Sequence, residues 1–177
     1  MHIIKHLLFI HIFIALIDLS GQNITTDTIA LNAIAGKWYV QYTNFPMWLN
    51  GNKINPEFNY TVTERKGNTV LLDEVVFEKN GKQKNITGYD KIMDANNSKF
   101  IWRGKGFLVL LKSKWDIVFA DESGEWILIH FDKTIFTPEG YDVITRNKNL
   151  DAELQNTISK ILSEKIPGVL LSVTLKQ

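Results

Sequence analysis

Between Gly36 and Arg146 the chain alternates apolar and polar positions in short runs. Trp38, Val40 and Tyr42 share one parity and Tyr39, Gln41 and Thr43 the other, and Phe58, Tyr60 and Val62 then alternate with Asn59, Thr61 and Thr63. A period of two marks strands with one buried and one wetter face. The runs are punctuated by turn chemistry at Asn50-Gly51-Asn52, Lys66-Gly67-Asn68, Asn80-Gly81, Asn96-Asn97-Ser98, Ser123-Gly124 and Pro138-Glu139-Gly140, the pattern of successive hairpins. Divided among eight strands, the stretch allows about 14 residues for each strand and its turn, which suits one antiparallel meander. Val70 to Phe77 and Gln83 to Met93 admit both registers.

The later strands differ. Trp115, Ile117 and Phe119 fall on one face, while the next run carries Trp126, Leu128 and His130 on one side and Ile127, Ile129 and Phe131 on the other. A strand apolar on both faces needs a cover on its outside. The one segment with helical spacing is Asp151 to Ile166, where Leu154, Ile158, Ile161, Leu162 and Ile166 form a single stripe, so a helix is expected across the outer wall. Asp151 is placed to cap it and Pro167-Gly168 to stop it. Val169 to Leu175 reads as a last short edge strand.

Composition narrows the function. With 20 Lys and Arg against 19 Asp and Glu, the net charge of +1 gives no overall field to gather nucleic acid. Cysteine is absent, which removes disulfides, thiolate metal sites and lipid anchors attached through sulfur. Met1 to His6 followed by the apolar run Leu7 to Leu19 has the shape of a secretory signal peptide, too short for a spanning helix, with cleavage expected after Gly21. The reading is therefore a leader over residues 1–21 and one domain over 22–177, secreted or periplasmic. Sequons at Asn23, Asn59, Asn85 and Asn96 would accept glycans in a eukaryotic source.

Gly36-Lys37-Trp38-Tyr39 at the start of the first strand resembles the G-x-W signature of the lipocalins. Lys114 to Asp121 resembles the family's sixth strand with its terminal Asp, and Tyr141 to Arg146 its last barrel strand ending in the signature Arg, followed by Leu150-Asp151 and a helix. The similarity runs from Gly36 to about Leu162 and is nearest to the small lipocalins of the bacterial and apolipoprotein D type. It implies an all-β fold, an eight-stranded up-and-down antiparallel barrel with one C-terminal helix on its outer wall. It also implies a structural motif of Gly36, Trp38, Asp121 and Arg146, in which the Trp plugs the closed end and the Arg lies across it. Where the family has Thr-Asp-Tyr in a tight turn, this chain has Ala120-Asp121 and then Trp126 after a longer turn.

The resemblance implies that the barrel binds, carries or sequesters a small hydrophobic ligand, lipid or fatty-acid-like; no cofactor is expected, and the oligomeric state is left open with a monomer favoured. Fixed alternation then assigns the lining to Val40, Tyr42, Phe58, Tyr60, Val62, Ile117, Phe119, Trp126, Leu128 and His130, His130 serving as a polar handle. The apolar segment Phe45, Met47, Trp48 and Leu49 after the first strand would fold over the mouth as a lid or pack on its rim. Lys99, Arg103, Lys105, Lys112 and Lys114 surround one hairpin, which is either simply solvated or a rim that attracts an acidic ligand headgroup or, weakly, an anionic membrane surface. A rival reading is a barrel filled by its own side chains, meeting a protein or membrane through that rim.

Catalysis finds little support. With the leader removed, His130 is the one histidine left, and no carboxylate spacing suggests a metal site. Ser123-Gly124 lacks the G-x-S-x-G elbow, and Gly104-Lys105-Gly106 lacks the rest of a phosphate loop. Asp73-Glu74 and Asp121-Glu122 are adjacent pairs that point to opposite faces of a strand, so neither makes a catalytic dyad. An isomerase on the same fold would have to pair His130 with an inward Tyr.

Overall fold

The structure is a computed structural model and describes residues 28–174. The expected leader over residues 1–21 and its expected cleavage site lie outside the described residues. After a single helical turn, α1 (Leu31–Ile34), the chain runs through β1 (Gly36–Thr43), a second turn α2 (Pro46–Leu49), β2 (Ile54–Arg65), β3 (Asn68–Lys79), β4 (Lys82–Ile92), β5 (Lys99–Gly104), β6 (Lys112–Ala120), β7 (Trp126–Phe131) and β8 (Gly140–Thr145). The helix α3 (Ala152–Lys165) and the two-residue strand β9 (Ser172–Val173) complete it.

Each of β2 to β8 pairs antiparallel with the strand before it, and β1 bridges β8 and β2, so eight strands close into an up-and-down barrel. Two of the turns show why the meander was legible. Lys66 and Gly67, and Asn80 and Gly81, all have φ between 52° and 75°, the left-handed pair that a two-residue hairpin of matching twist demands. β1 divides its edge: Gly36 to Tyr39 pair with β2, while Tyr42 and Thr43 pair with β9. The Thr174 amide donates to the Gln41 carbonyl at 2.9 Å, and the Thr174 hydroxyl donates to the Val40 carbonyl.

Two apolar clusters follow from the two sides of the wall. The interior one includes Trp38, Val40, Phe58, Tyr60, Leu71, Phe100, Trp115, Ile127, Ile129 and Ile144. The outer one joins Trp126, Leu128 and Val143 of the barrel to Ile158 and Ile166, with Leu154, Ile161 and Leu162 beside them, so the helix covers β7 as its spacing predicts. Asp151 caps that helix by accepting from the Leu154 amide at 2.8 Å, and Gly168 follows it at φ 81°.

The closed end is held by the expected pair. The Arg146 guanidinium sits 3.5 Å above the centre of the Trp38 ring, donates to the Lys37 carbonyl at 3.1 Å and to the Ala33 carbonyl at 2.7 Å, while Trp38 Nε1 donates to the Ile34 carbonyl at 2.7 Å. A Cβ on Gly36 would stand 3.0 Å from Arg146 Nη1, at φ 99°, so glycine suits both the space and the backbone there. Asp121 organises the longer turn: its amide donates to the Trp126 carbonyl, its carbonyl accepts from Gly124, and its carboxylate accepts from the Ser123 hydroxyl.

Candidate functional site

Connections β1–β2, β3–β4, β5–β6 and β7–β8 meet at the end opposite Trp38, and below them lies a cavity of about 370 Å3. Its walls come from alternate residues of successive strands, among them Phe58, Asp73, Val75, Ile86, Trp102, Trp115 and Phe131, with Asp142 from β8. Aromatic rings pack beneath it. Phe100 stacks on Trp115 with centroids 4.2 Å apart, and Tyr60 on the same indole at 5.8 Å.

The lid segment closes part of the mouth. Phe45, Met47 and Trp48 line the cavity, with Phe45 edge-on to Phe131 at 5.6 Å and Trp48 against Phe77 at 5.8 Å; Leu49 points away and is exposed. The Phe45 amide donates to Thr43 Oγ1 at 3.0 Å, and the same hydroxyl donates to Asp142 Oδ1 at 2.5 Å. A short hydrogen-bonded chain thus ties the lid to a carboxylate in the wall.

Three carboxylates stand in this apolar interior. Asp73 is 6% exposed, Asp142 1% and Asp90 fully buried. Trp115 Nε1 donates to Asp90 Oδ1 at 2.8 Å, yet Asp90 Oδ2 and Asp73 Oδ1 have no hydrogen-bond partner. Among the described residues no basic side chain forms an ion pair with any of the three. Burial pushes the Asp90 carboxyl up to about 7 against the opposing hydrogen bond from Trp115, and burial pushes Asp142 up to about 7 against that from Thr43. Asp73 is held well above the usual carboxylate range by burial, then by the neighbouring charges of Asp90 and Glu74. The Tyr60 hydroxyl is raised by burial and then by all three aspartates.

Of the ten positions that alternation points inward, Val40, Phe58, Tyr60, Val62 and Ile117 belong to the interior cluster, and Phe58 lines the cavity itself. Tyr42, Phe119, Trp126, Leu128 and His130 lie outside, a correction with one kind of cause. A register shift between Val40 and Tyr42 turns Tyr42 outward, and another between Ile117 and Phe119 does the same to Phe119, since one extra residue reverses every later side chain. On β7, Ile129 stands opposite inward Ile117 and Leu128 opposite outward Phe119, so the parity that reaches the interior is Ile127, Ile129 and Phe131.

His130 shares the outer side of the wall with Tyr141, centroids 4.8 Å apart, and its ring nitrogens meet Asp116 Oδ1 and Glu139 Oε1, each at 3.0 Å. Burial lowers its pKa, but the two hydrogen bonds outweigh that and leave it above 6.5. It forms no acid/base pair with an inward Tyr. Asp116, His130 and Asp132 bring ligand atoms within 4.8 Å of one another, but both His nitrogens already face carboxylates.

Sequence reading missed the interior Asp73, Asp90 and Asp142. The signal was a charged residue on an otherwise apolar parity, Leu71, Asp73, Val75 and Phe77 on β3 and Ile86, Gly88, Asp90 and Ile92 on β4, which could be read only once the register of those strands was fixed.

No family model matches the sequence, and none of the curated proteins matches it. Solved structures do. Insecticyanin from the tobacco hornworm Manduca sexta superposes with a TM-score of 0.65 at 14% identity, over 85% of this chain and 82% of its own. A biogenic amine-binding protein gives 0.62 at 14% identity, over 82% and 81%, and lobster apocrustacyanin A1 gives 0.58 at 14% identity, over 82% and 79%. At such identities the likeness establishes the lipocalin fold.

Proposed function

We propose that this protein is a secreted or periplasmic binder that carries or sequesters one small, largely apolar molecule in the upper half of its barrel. The observation that supports this most is the cavity of about 370 Å3 beneath an apolar lid, above the roughly 300 Å3 at which ligand sites begin. A barrel filled throughout by its own side chains would have no such space. Binding would remove apolar ligand surface from water at about 25 cal/mol per Å2. A fatty-acid-like ligand suits this interior only with its carboxylate at the mouth, where Lys112 lies, because three buried aspartates would repel it below. Native mass spectrometry of the protein purified from its source without delipidation tests the reading. A discrete extra mass released by organic extraction is expected; a clean apo mass, with no quenching of tryptophan fluorescence by fatty acids, lysolipids or retinoids, would overturn it.

A second reading concerns delivery. Phe107 and Leu110 on the β5–β6 connection, and Ile135 and Phe136 on the β7–β8 connection, are each at least 75% exposed at the mouth, with Lys105, Lys112 and Lys133 interspersed. Apolar tips flanked by lysines fit an anionic lipid surface, so ligand transfer would occur with the mouth facing a membrane.

A further inference from the structure

Resting on the carrier reading, we propose that the natural ligand is an organic cation, a small amine whose ammonium is held between the Asp73 and Asp142 carboxylates while its apolar body lies against Trp115, Phe58 and Phe131.

This interior lacks a cation for its carboxylates among the described residues. A carboxylate taken out of water is strongly disfavoured unless it gains a cation or a full set of hydrogen bonds. Asp73 and Asp142 both open on the cavity, Asp73 Oδ1 is buried without a partner, and Asp90 adds a second unpartnered oxygen behind the Trp115 indole. One such group could be a core carboxyl kept protonated. Three around Tyr60, with no basic side chain of the described residues paired to them, give this apolar chamber acid groups that a bound cation would stabilise in their ionised form.

The complement of that arrangement is a molecule with one positive end and an apolar remainder. The chamber is walled by aromatic faces, which attract organic cations as well as apolar surface. A bare metal ion would find only carboxylates and rings, too few oxygens for its coordination shell. Nor does a neutral lipid need carboxylates that are costly to bury. On binding, the ammonium would supply the donors that Asp73 lacks and replace one short bond at Asp142 with two, since that carboxylate already accepts from Thr43.

The test uses three ligands of one skeleton and different charge, 2-phenylethylamine, 2-phenylethanol and 3-phenylpropionate, titrated calorimetrically into the full chain at pH 8. The amine is expected to bind at least tenfold more tightly than the alcohol, and the acid more weakly than either. Asp73→Asn and Asp142→Asn should each abolish the preference for the amine over the alcohol. These variants remove a buried charge, so they should fold, and circular dichroism checks that they do. Equal affinity for amine and alcohol, tighter binding of the acid, or a preference that persists in both Asn variants would overturn the proposal and leave the carrier reading standing. Failure of all three ligands to bind would also overturn it, whereas the carrier reading falls only on a clean apo mass together with no quenching by the lipid panel.

Discussion

Arg146→Met is the substitution whose cost can be worked most fully from the structure. The side chain keeps an unbranched apolar stem but ends short of the guanidinium, so part of the packing over Trp38 is lost together with the charge. Two hydrogen bonds from a charged donor disappear, to Ala33 at 2.7 Å and Lys37 at 3.1 Å, each worth about 1.5–3 kcal/mol when fully buried. Arg146 is only partly buried, so the lower figure applies, and the weaker 3.1 Å bond contributes less. The cation-π contact at 3.5 Å adds about 0.5–2 kcal/mol. Part is recovered, because water can reach the freed carbonyls at this edge. The expected loss is about 2–4 kcal/mol in equilibrium urea unfolding, with an unchanged denaturant slope if both states keep their compactness. A cycle with Trp38→Phe isolates the ring contact, with an expected coupling of about 0.5–2 kcal/mol. A loss under about 1 kcal/mol would refute the reasoning, since it would mean that the end of the barrel is held by apolar packing alone.

Other expectations follow from the same geometry. Asp90 and Asp142 have folded pKa values of about 7 against 3.8, so between roughly pH 4 and 7 the native state binds more protons and stability falls as pH rises. The titratable groups that face them are Asp73 and Tyr60, with Glu74 beside Asp73; Asp90→Asn should flatten that slope in urea melts across this range, and an unchanged slope would count against burial as its cause. In Gly88→Ala the new Cβ would overlap the Trp102 indole and lie 2.7 Å from the Arg103 carbonyl, with an expected cost of about 1–3 kcal/mol in thermal unfolding and a smaller chamber seen as weaker ligand binding. His130→Gln should leave ligand affinity within about twofold of wild type, because the ring lies outside the barrel; a tenfold loss would contradict that placement. Replacing Leu110 and Phe136 together by Asp should reduce co-sedimentation with phosphatidylglycerol vesicles at least fivefold, and equal sedimentation would remove the mouth from the lipid contact.

Much of the fold was legible because its signals are local. Gly36, Trp38 and Arg146 sit where a closed end needs them, the hairpin glycines carry the required positive φ, and the five aliphatics between Leu154 and Ile166 could cover only one wall. The chamber was harder to read because it depends on counting across irregularities. Bulges after Val40 and Ile117 inverted the facing of Tyr42 and Phe119, and on β7 both faces are apolar, so hydrophobicity could not say whether Trp126 or Ile127 points inward. The interior aspartates were hidden for a related reason. A charge in a strand is normally taken for a solvated position, and only the pairing of Tyr60 with Asp73 and of Leu71 with Asp90 reveals that those two face the core.

The divided edge of β1 bears on how a molecule would enter. Its lower half is laced to β2 through Tyr39 and Glu57, while its upper half is already committed to β9. The start of β2 is therefore not laddered to β1, and α2 spans the connection between them. Swinging α2 outward breaks no rung of the sheet; it would cost the aromatic contacts of the segment, the Lys53 contact with the Trp48 ring and the bond from Phe45 to Thr43. The upper rim on this side is thus the part of the barrel least held by its own consecutive ladder, and amides near Ile54 should exchange with solvent ahead of those on β7.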